Sequence, residues 1–168
     1  SEKISEAVKD ADVTIEYVDG AQQVLLNGEN VTPFLRTEEV GNMASASSVN
    51  GDVRKKLVEL QQKLAETANV VMDGRDIGTC VLPNAQVKVY LTASVDVRAE
   101  RRYKELVEKG VEADLEKIKK DIEERDYRDM NRDISPLRQA EDAVLVDSSN
   151  MNIEESAAAI LALIDQVM

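Results

Sequence analysis

The chain has 168 residues, 43% of them apolar, enough for one compact domain with a core of its own. Its net charge of -12 argues against a general nucleic-acid binder, because duplex binding rests on cationic contacts to phosphate; no apolar run is long enough to span a membrane, and nothing at the N-terminus reads as a signal peptide. Histidine is absent, which removes the commonest general base and metal ligand, and a single cysteine, Cys80, excludes an internal disulfide and fits a reducing, cytoplasmic setting.

In chain order, the sequence opens at a serine directly into a polar helical pattern, so its natural beginning is expected upstream. Residues 13–35 read as short antiparallel strands. Val13, Ile15 and Tyr17 alternate with more polar neighbours, and Asp19-Gly20 and Asn27-Gly28 supply turn residues that tolerate positive φ. Thr37-Glu38-Glu39 opens a short helix toward Ser48, with acidic residues at its favourable end. Asn50 or Asp52 caps a longer helix over 53–68, with Val53, Leu57, Leu60 and Leu64 on one face.

Three apolar runs then alternate with helices. Val70-Val71-Met72 ends at Asp73-Gly74-Arg75-Asp76; a second run covers 87–91 and a third 143–146. Ser94 caps a helix that stops at Gly110, a second helix covers 113–130, and a last one covers 153–167. This alternation predicts an α/β fold, with a parallel sheet covered on both faces.

Ligands of open α/β sheets bind beyond the carboxyl ends of the strands, where Asp73-Gly74-Arg75-Asp76 is placed. Glycine lets the backbone turn tightly. Arg75 and Asp76 then either bind a phosphate and an amine-bearing base together, or form a plain strand-end turn with a surface ion pair. A second constellation runs from Glu124 to Arg132. The apolar stripe Leu115, Ile118, Ile122 gives way to Arg125, Asp129 and Arg132 on one face. Seven of the ten arginines lie between 98 and 138. Such a ladder either clamps phosphates with guanidinium groups and a ribose hydroxyl with the carboxylate, or pairs its own charges on a solvated surface. The use of Arg over Lys favours the clamp.

Asp73-Gly74-Arg75-Asp76-Ile77-Gly78-Thr79, Leu35-Arg36-Thr37-Glu38-Glu39-Val40, and Glu124-Arg125-Asp126 through Asn131-Arg132, in this order and spacing, resemble bacterial cytidylate kinase over essentially the whole chain. The resemblance implies the nucleoside monophosphate kinase architecture of a parallel core sheet, with a small antiparallel β-meander as insertion. It divides the chain into a monophosphate-binding region, 1–68, and the rest of the core, 69–168, with a short lid around 110–135. It implies that Ser45, Arg54 and Asp76 surround the cytosine, Asp76 accepting from N4 and Arg54 donating to N3 or O2. Arg75 and Arg125 then grip the CMP phosphate, Asp129 accepts from ribose hydroxyls, and Arg128 and Arg132 meet the transferred phosphoryl group, with Arg125 a third catalytic arginine. Arg98, Arg101 and Arg102 are read as helix surface, and Cys80 as a small core residue.

The implied activity is transfer of the ATP γ-phosphoryl group to CMP or dCMP, with Mg²⁺ bridging phosphates and no metal ligand assigned to the protein. No Gly-x-x-x-x-Gly-Lys-Ser/Thr loop occurs in the sequence. The chain is therefore expected to lack the family's central P-loop strand and to be inactive alone. The run at 70–73 and the strand at 87–91 would then pair directly, be bridged by another chain, or be completed by an upstream segment. Expected partners are a small nucleotide, with self-association or the missing segment completing the sheet, and neither nucleic acid nor membrane. The alternatives are a non-catalytic CMP-binding module or truncated remnant and, more weakly, a structural protein that binds no nucleotide.

Overall fold

The computed structural model describes residues 2–167. They form two compact units, divided between Val71 and Met72.

In the first unit, helix α1 (Glu2–Lys9) packs against α3 (Gly51–Thr67). Asn50 Nδ2 donates to Ser5 Oγ at 3.0 Å, and Lys56 Nζ donates to the Lys9 carbonyl at 3.1 Å. Between them lies the meander. Strands β1 (Val13–Val18) and β2 (Ala21–Leu26) pair antiparallel from Val13 opposite Leu26 to Val18 opposite Ala21, and β3 (Glu29–Asn30) adds beyond β2. Both turns use the left-handed backbone that the Asx-Gly pairs foretell: φ is 53° and 77° at Asp19-Gly20, and 51° and 82° at Asn27-Gly28.

Helix α2 (Glu38–Ser47) starts where the Thr37 hydroxyl accepts from the Val40 amide at 3.3 Å. Asn50 rather than Asp52 caps α3, its Oδ1 accepting from the amides of Asp52 and Val53 at 2.9 and 3.1 Å. Val53 is buried as its apolar spacing predicts, whereas Leu57 of the same stripe is exposed.

The second unit is built on two parallel strands, β4 (Val89–Thr92) and β5 (Val144–Asp147), in register from Val89 with Val144 to Thr92 with Asp147. Helices α4 (Val95–Glu108) and α5 (Leu115–Asn131) form the crossover, and α6 (Ile153–Asp165) follows β5. Their starts are set by Ser94, by Asp114, and by a reciprocal box in which Asn152 and Glu155 satisfy each other's amides. Gly110 leaves α4 at φ 72°.

Two expectations for the sheet are corrected. Residues 70–73 form no strand, and Val71 is 93% exposed. A run of β-branched residues becomes a strand only when a neighbour completes its ladder, and within the described residues β4 pairs with β5 and with nothing at 70–73. Nor is the sheet fully covered on either face: Leu91, on the face of its register partner Val146, and Leu145, on the opposite face, are each 54% exposed. The buried apolar residues of this unit are Val81, Ala93, Ala99 and Val146.

Candidate active site

The first half of the site is built by the loop at residues 73–76. Gly74 lies close to Ile77: a Cβ there would sit 3.0 Å from Ile77 Cγ1 and 3.2 Å from its Cδ1, so any larger residue needs that side chain to shift. After Asp76 the chain enters a single π-helical turn, Ile77–Val81. The Asp76 carbonyl accepts from the amides of Cys80 at 2.8 Å and Val81 at 3.2 Å, which fixes the backbone on which its carboxylate stands. Cys80, half-buried in this turn, has the Thr79 hydroxyl 3.6 Å from its sulfur.

The second half comes from the last two turns of α5. Residues 125, 129 and 132 share a helix face, and the structure brings them around one buried carboxylate. Arg75 Nε donates to Asp129 Oδ2 at 3.1 Å, and Arg125 Nε stands 3.9 Å from the same oxygen. Arg132 Nη1 lies 3.9 Å from Asp129 Oδ1, and its Nη2 lies 4.0 Å from Asp76 Oδ1. Asp129 is the buried acid of this cluster, with 9% of its side chain exposed; Arg132 and Asp76 are nearly as enclosed, at 10% and 12%.

Burying a charge is costly unless it is paired, so these groups hold one another in place. Three guanidinium groups face two carboxylates, leaving the cluster cationic by one charge at the end of a helix whose same stripe carries Leu115, Ile118 and Ile122 further back. Arg75 and Arg125 keep 42% and 48% of their side chains exposed, so their guanidinium groups reach solvent from a fixed base. An arrangement of this kind takes an oxyanion such as a phosphate ester, for which the planar fork of arginine is suited.

The other expected site residues have local partners of their own. Arg128 is exposed; its Nε donates to the Glu124 carbonyl at 3.3 Å, and it lines an open groove with Glu123, Glu124 and Tyr127. Ser45 is half-buried on α2 of the first unit, where its carbonyl accepts from the Ser48 hydroxyl at 2.8 Å. Arg54 is half-buried on α3, with Nη1 3.4 Å from the Ser48 carbonyl.

Of the arginines read as helix surface, Arg98 is corrected, being half-buried, whereas Arg101 and Arg102 are exposed. Arg98 grips Asp126 of α5 through two hydrogen bonds, at 3.0 and 2.6 Å, and its Nε donates to the Ala93 carbonyl at 3.0 Å. This pairing raises the Arg98 pKa above its already high ordinary value. Arg101 donates to the carbonyls of Ser148 and Met151 at 2.6 and 3.0 Å, holding the loop after β5. Arg102 pairs with Glu105 on its own helix. Nothing in local spacing links Arg98 to Asp126, so helix periodicity could not reveal the contact.

The strand ends themselves are tied together. The Ser94 amide donates to the Ser149 hydroxyl at 2.9 Å, and that hydroxyl donates to Asp147 at 2.6 Å. The Ser149 hydroxyl, helped by its amide, holds the Asp147 carboxyl below its ordinary pKa.

Among the described residues no three Cys, Asp or Glu side chains cluster as a metal-ligand set. No described helix is long and apolar enough to cross a membrane.

The family model for cytidylate kinase matches residues 1–166. A cytidylate kinase of Caldicellulosiruptor saccharolyticus is 48% identical over 167 residues, 99% of this chain and 74% of that protein. One from Enterococcus faecalis is 49% identical over 154 residues, 92% of this chain and 68% of that protein. One from Streptococcus pneumoniae is 54% identical over 136 residues, 81% of this chain and 61% of that protein.

Proposed function

This chain belongs to the cytidylate kinase family, and from that premise we propose that its arginine-aspartate cluster is the phosphate and ribose half of a CMP site. The observation that carries the reading is the convergence of Arg75, Arg125 and Arg132 on the buried Asp129 carboxylate. Arg75 and Arg125, anchored by Asp129 yet half-exposed, grip the CMP phosphate, and Asp129 accepts from a ribose hydroxyl. Asp76 accepts from cytosine N4, and Arg54 and Ser45 complete the reading of the base.

In the reaction, an oxygen of the CMP phosphate attacks the γ-phosphorus of ATP while the bond from that phosphorus to the bridging oxygen of ADP breaks. The products are CDP and ADP. Arg132, and Arg128 from the lid over 110–135, face the transferring group and offset its charge without a proton transfer, so the absence of histidine costs the chemistry nothing. In this reading a Mg²⁺ ion would be carried mainly on the substrate phosphates. When bound, that ion neutralises phosphate charge. No Gly-x-x-x-x-Gly-Lys-Ser/Thr cradle occurs in residues 1–168, so the proposal assigns this chain the monophosphate side of the reaction.

Calorimetric titration with CMP, AMP and inorganic phosphate tests the reading. CMP should bind more tightly than AMP, and Asp76→Ala should reduce that preference by about 1–3 kcal/mol while phosphate binding persists. Equal losses for CMP and phosphate would remove Asp76 from base recognition. Arg125→Ala should weaken both ligands, and unchanged binding would return Arg125 to the helix surface.

A further inference from the structure

Arg132 is the last residue of the ladder and also the residue at which α5 ends. Its own backbone is already extended, at φ -71° and ψ 146°. The five residues that follow, Asp133-Ile134-Ser135-Pro136-Leu137, double back on the helix instead of leaving it. The Leu137 amide donates to the Asp129 carbonyl at 2.8 Å, so the loop closes onto the backbone of the residue whose carboxylate organises the cluster. Within it, the Ser135 carbonyl accepts from Arg132 Nε at 2.7 Å.

That carbonyl faces inward because Ser135 has φ +50°, a left-handed conformation uncommon for a residue with a Cβ. The conformation is more unusual still before a proline, which favours extended backbone in the preceding residue. Non-glycine residues held there cost free energy, and such positions concentrate where geometry matters to function. Arg132 is largely enclosed, with its two terminal nitrogens toward Asp129 and Asp76. Its Nε bond to Ser135 therefore fixes the plane and rotation of the guanidinium group.

We infer that the Ser135-Pro136 turn is a positioning device for Arg132: the left-handed Ser135 presents its carbonyl to Nε and aims the guanidinium group at the transferring phosphoryl group. The inference rests on the reading of Arg132 given above and adds residues that do not touch substrate. It predicts that a β-branched side chain at 135, which resists positive φ, withdraws the carbonyl, and that glycine, which adopts positive φ freely, keeps it.

The test is a comparison of wild type, Ser135→Val, Ser135→Gly and Arg132→Ala in the full-length protein. Steady-state phosphorylation of CMP is combined with the arginine Nε–H signals in a ¹H–¹⁵N spectrum. Val at 135 should lower kcat about tenfold or more with little change in KM for CMP, as small misplacements of a positioned group do. Gly at 135 should restore what Val loses, and adding Ser135→Val to Arg132→Ala should cost nothing further. In wild type the Arg132 Nε–H should be protected from solvent exchange, and in Ser135→Val it should lose that protection.

If Ser135→Val keeps the wild-type kcat while Arg132→Ala is impaired, the positioning inference is overturned and the role of Arg132 stands. If Arg132→Ala is unimpaired, the role of Arg132 fails and this inference fails with it. Should Ser135→Val not fold, the wild-type spectrum still decides, because a freely exchanging Arg132 Nε–H contradicts the hydrogen bond.

Discussion

Arg98 and Asp126 meet fork to fork across the α4–α5 hairpin, Nη1 on Oδ1 at 3.0 Å and Nη2 on Oδ2 at 2.6 Å. Because Nε of Arg98 also holds the Ala93 carbonyl, one side chain links the end of β4, the start of α4 and the middle of α5. Asp126 is the neighbour of Arg125, so the pair sets the rotation of α5 and hence which face carries the arginines. Arg98→Lys keeps the charge but loses the fork, and should destabilise the protein by about 1–2 kcal/mol, the worth of a charged hydrogen bond reduced for partial exposure. Urea unfolding measures this; an unshifted midpoint would show that the fork is incidental.

Asp129→Asn should be more damaging to binding than its isosteric shape suggests. Without the carboxylate, Arg75, Arg125 and Arg132 are left as neighbouring cations with Asp76 the only acid of the cluster. Their mutual repulsion should spread them apart, weakening CMP roughly tenfold or more, equivalent to about 1.4 kcal/mol. Calorimetry with CMP and with inorganic phosphate separates the two roles: a loss confined to CMP points to the ribose, and a loss for both points to arginine positioning.

Ala99 is 1% exposed on α4, beside Leu115 and Lys119 of α5. Only a small cleft opens beside it, with too little room for three more carbons, so Ala99→Leu should overpack the hairpin and cost about 1–3 kcal/mol. Its thermal midpoint should fall accordingly. A wild-type midpoint would mean that α4 and α5 part easily.

Glu105 lies at the end of α4 between Lys109 and Arg102, with Oε1 2.5 Å from the ammonium group and Oε2 2.8 Å from the guanidinium group. The Lys109 hydrogen bond first, and the Arg102 bond next, lower its pKa from 4.5 to about 2. Because the folded value is the depressed one, the stabilisation is present above 4.5 and is lost as pH falls toward about 2. The gap in thermal midpoint between wild type and Glu105→Gln should therefore be constant near neutrality and close over that acid range. It should also shrink in high salt, as expected of a surface network. A gap that persists at pH 2 would assign the effect to packing.

The elements most legible in the sequence were those with a local cause. Thr37, Asn50 and Ser94 cap helices because their own side chains reach amides two or three residues on. The two Asx-Gly turns follow in the same way from backbone freedom at single residues. Where the cause is a partner far along the chain, sequence reading failed: Val70-Val71-Met72 has strand composition but no ladder neighbour, and Arg98 finds Asp126 only after the hairpin folds. The face shared by Arg125, Asp129 and Arg132 was readable from helix periodicity. The inward carbonyl at Ser135 was not, since neither serine nor the following proline predicts a positive φ.

The meander and the parallel sheet differ in how much chain must exist before they can form. Val18 meets Ala21 across a turn of two residues, so β1 and β2 can close on the order of 1–10 μs, as isolated hairpins do. Val89 must wait for Val144, and everything between them, including α4 and α5, has to be made first. During synthesis from the N-terminus the meander can therefore assemble while β4 is still unpaired, and the exposed Leu91 and Leu145 strands are the late, slow contact of high sequence separation. The order of events on the ribosome is thus written into which strands pair with near neighbours and which with distant ones.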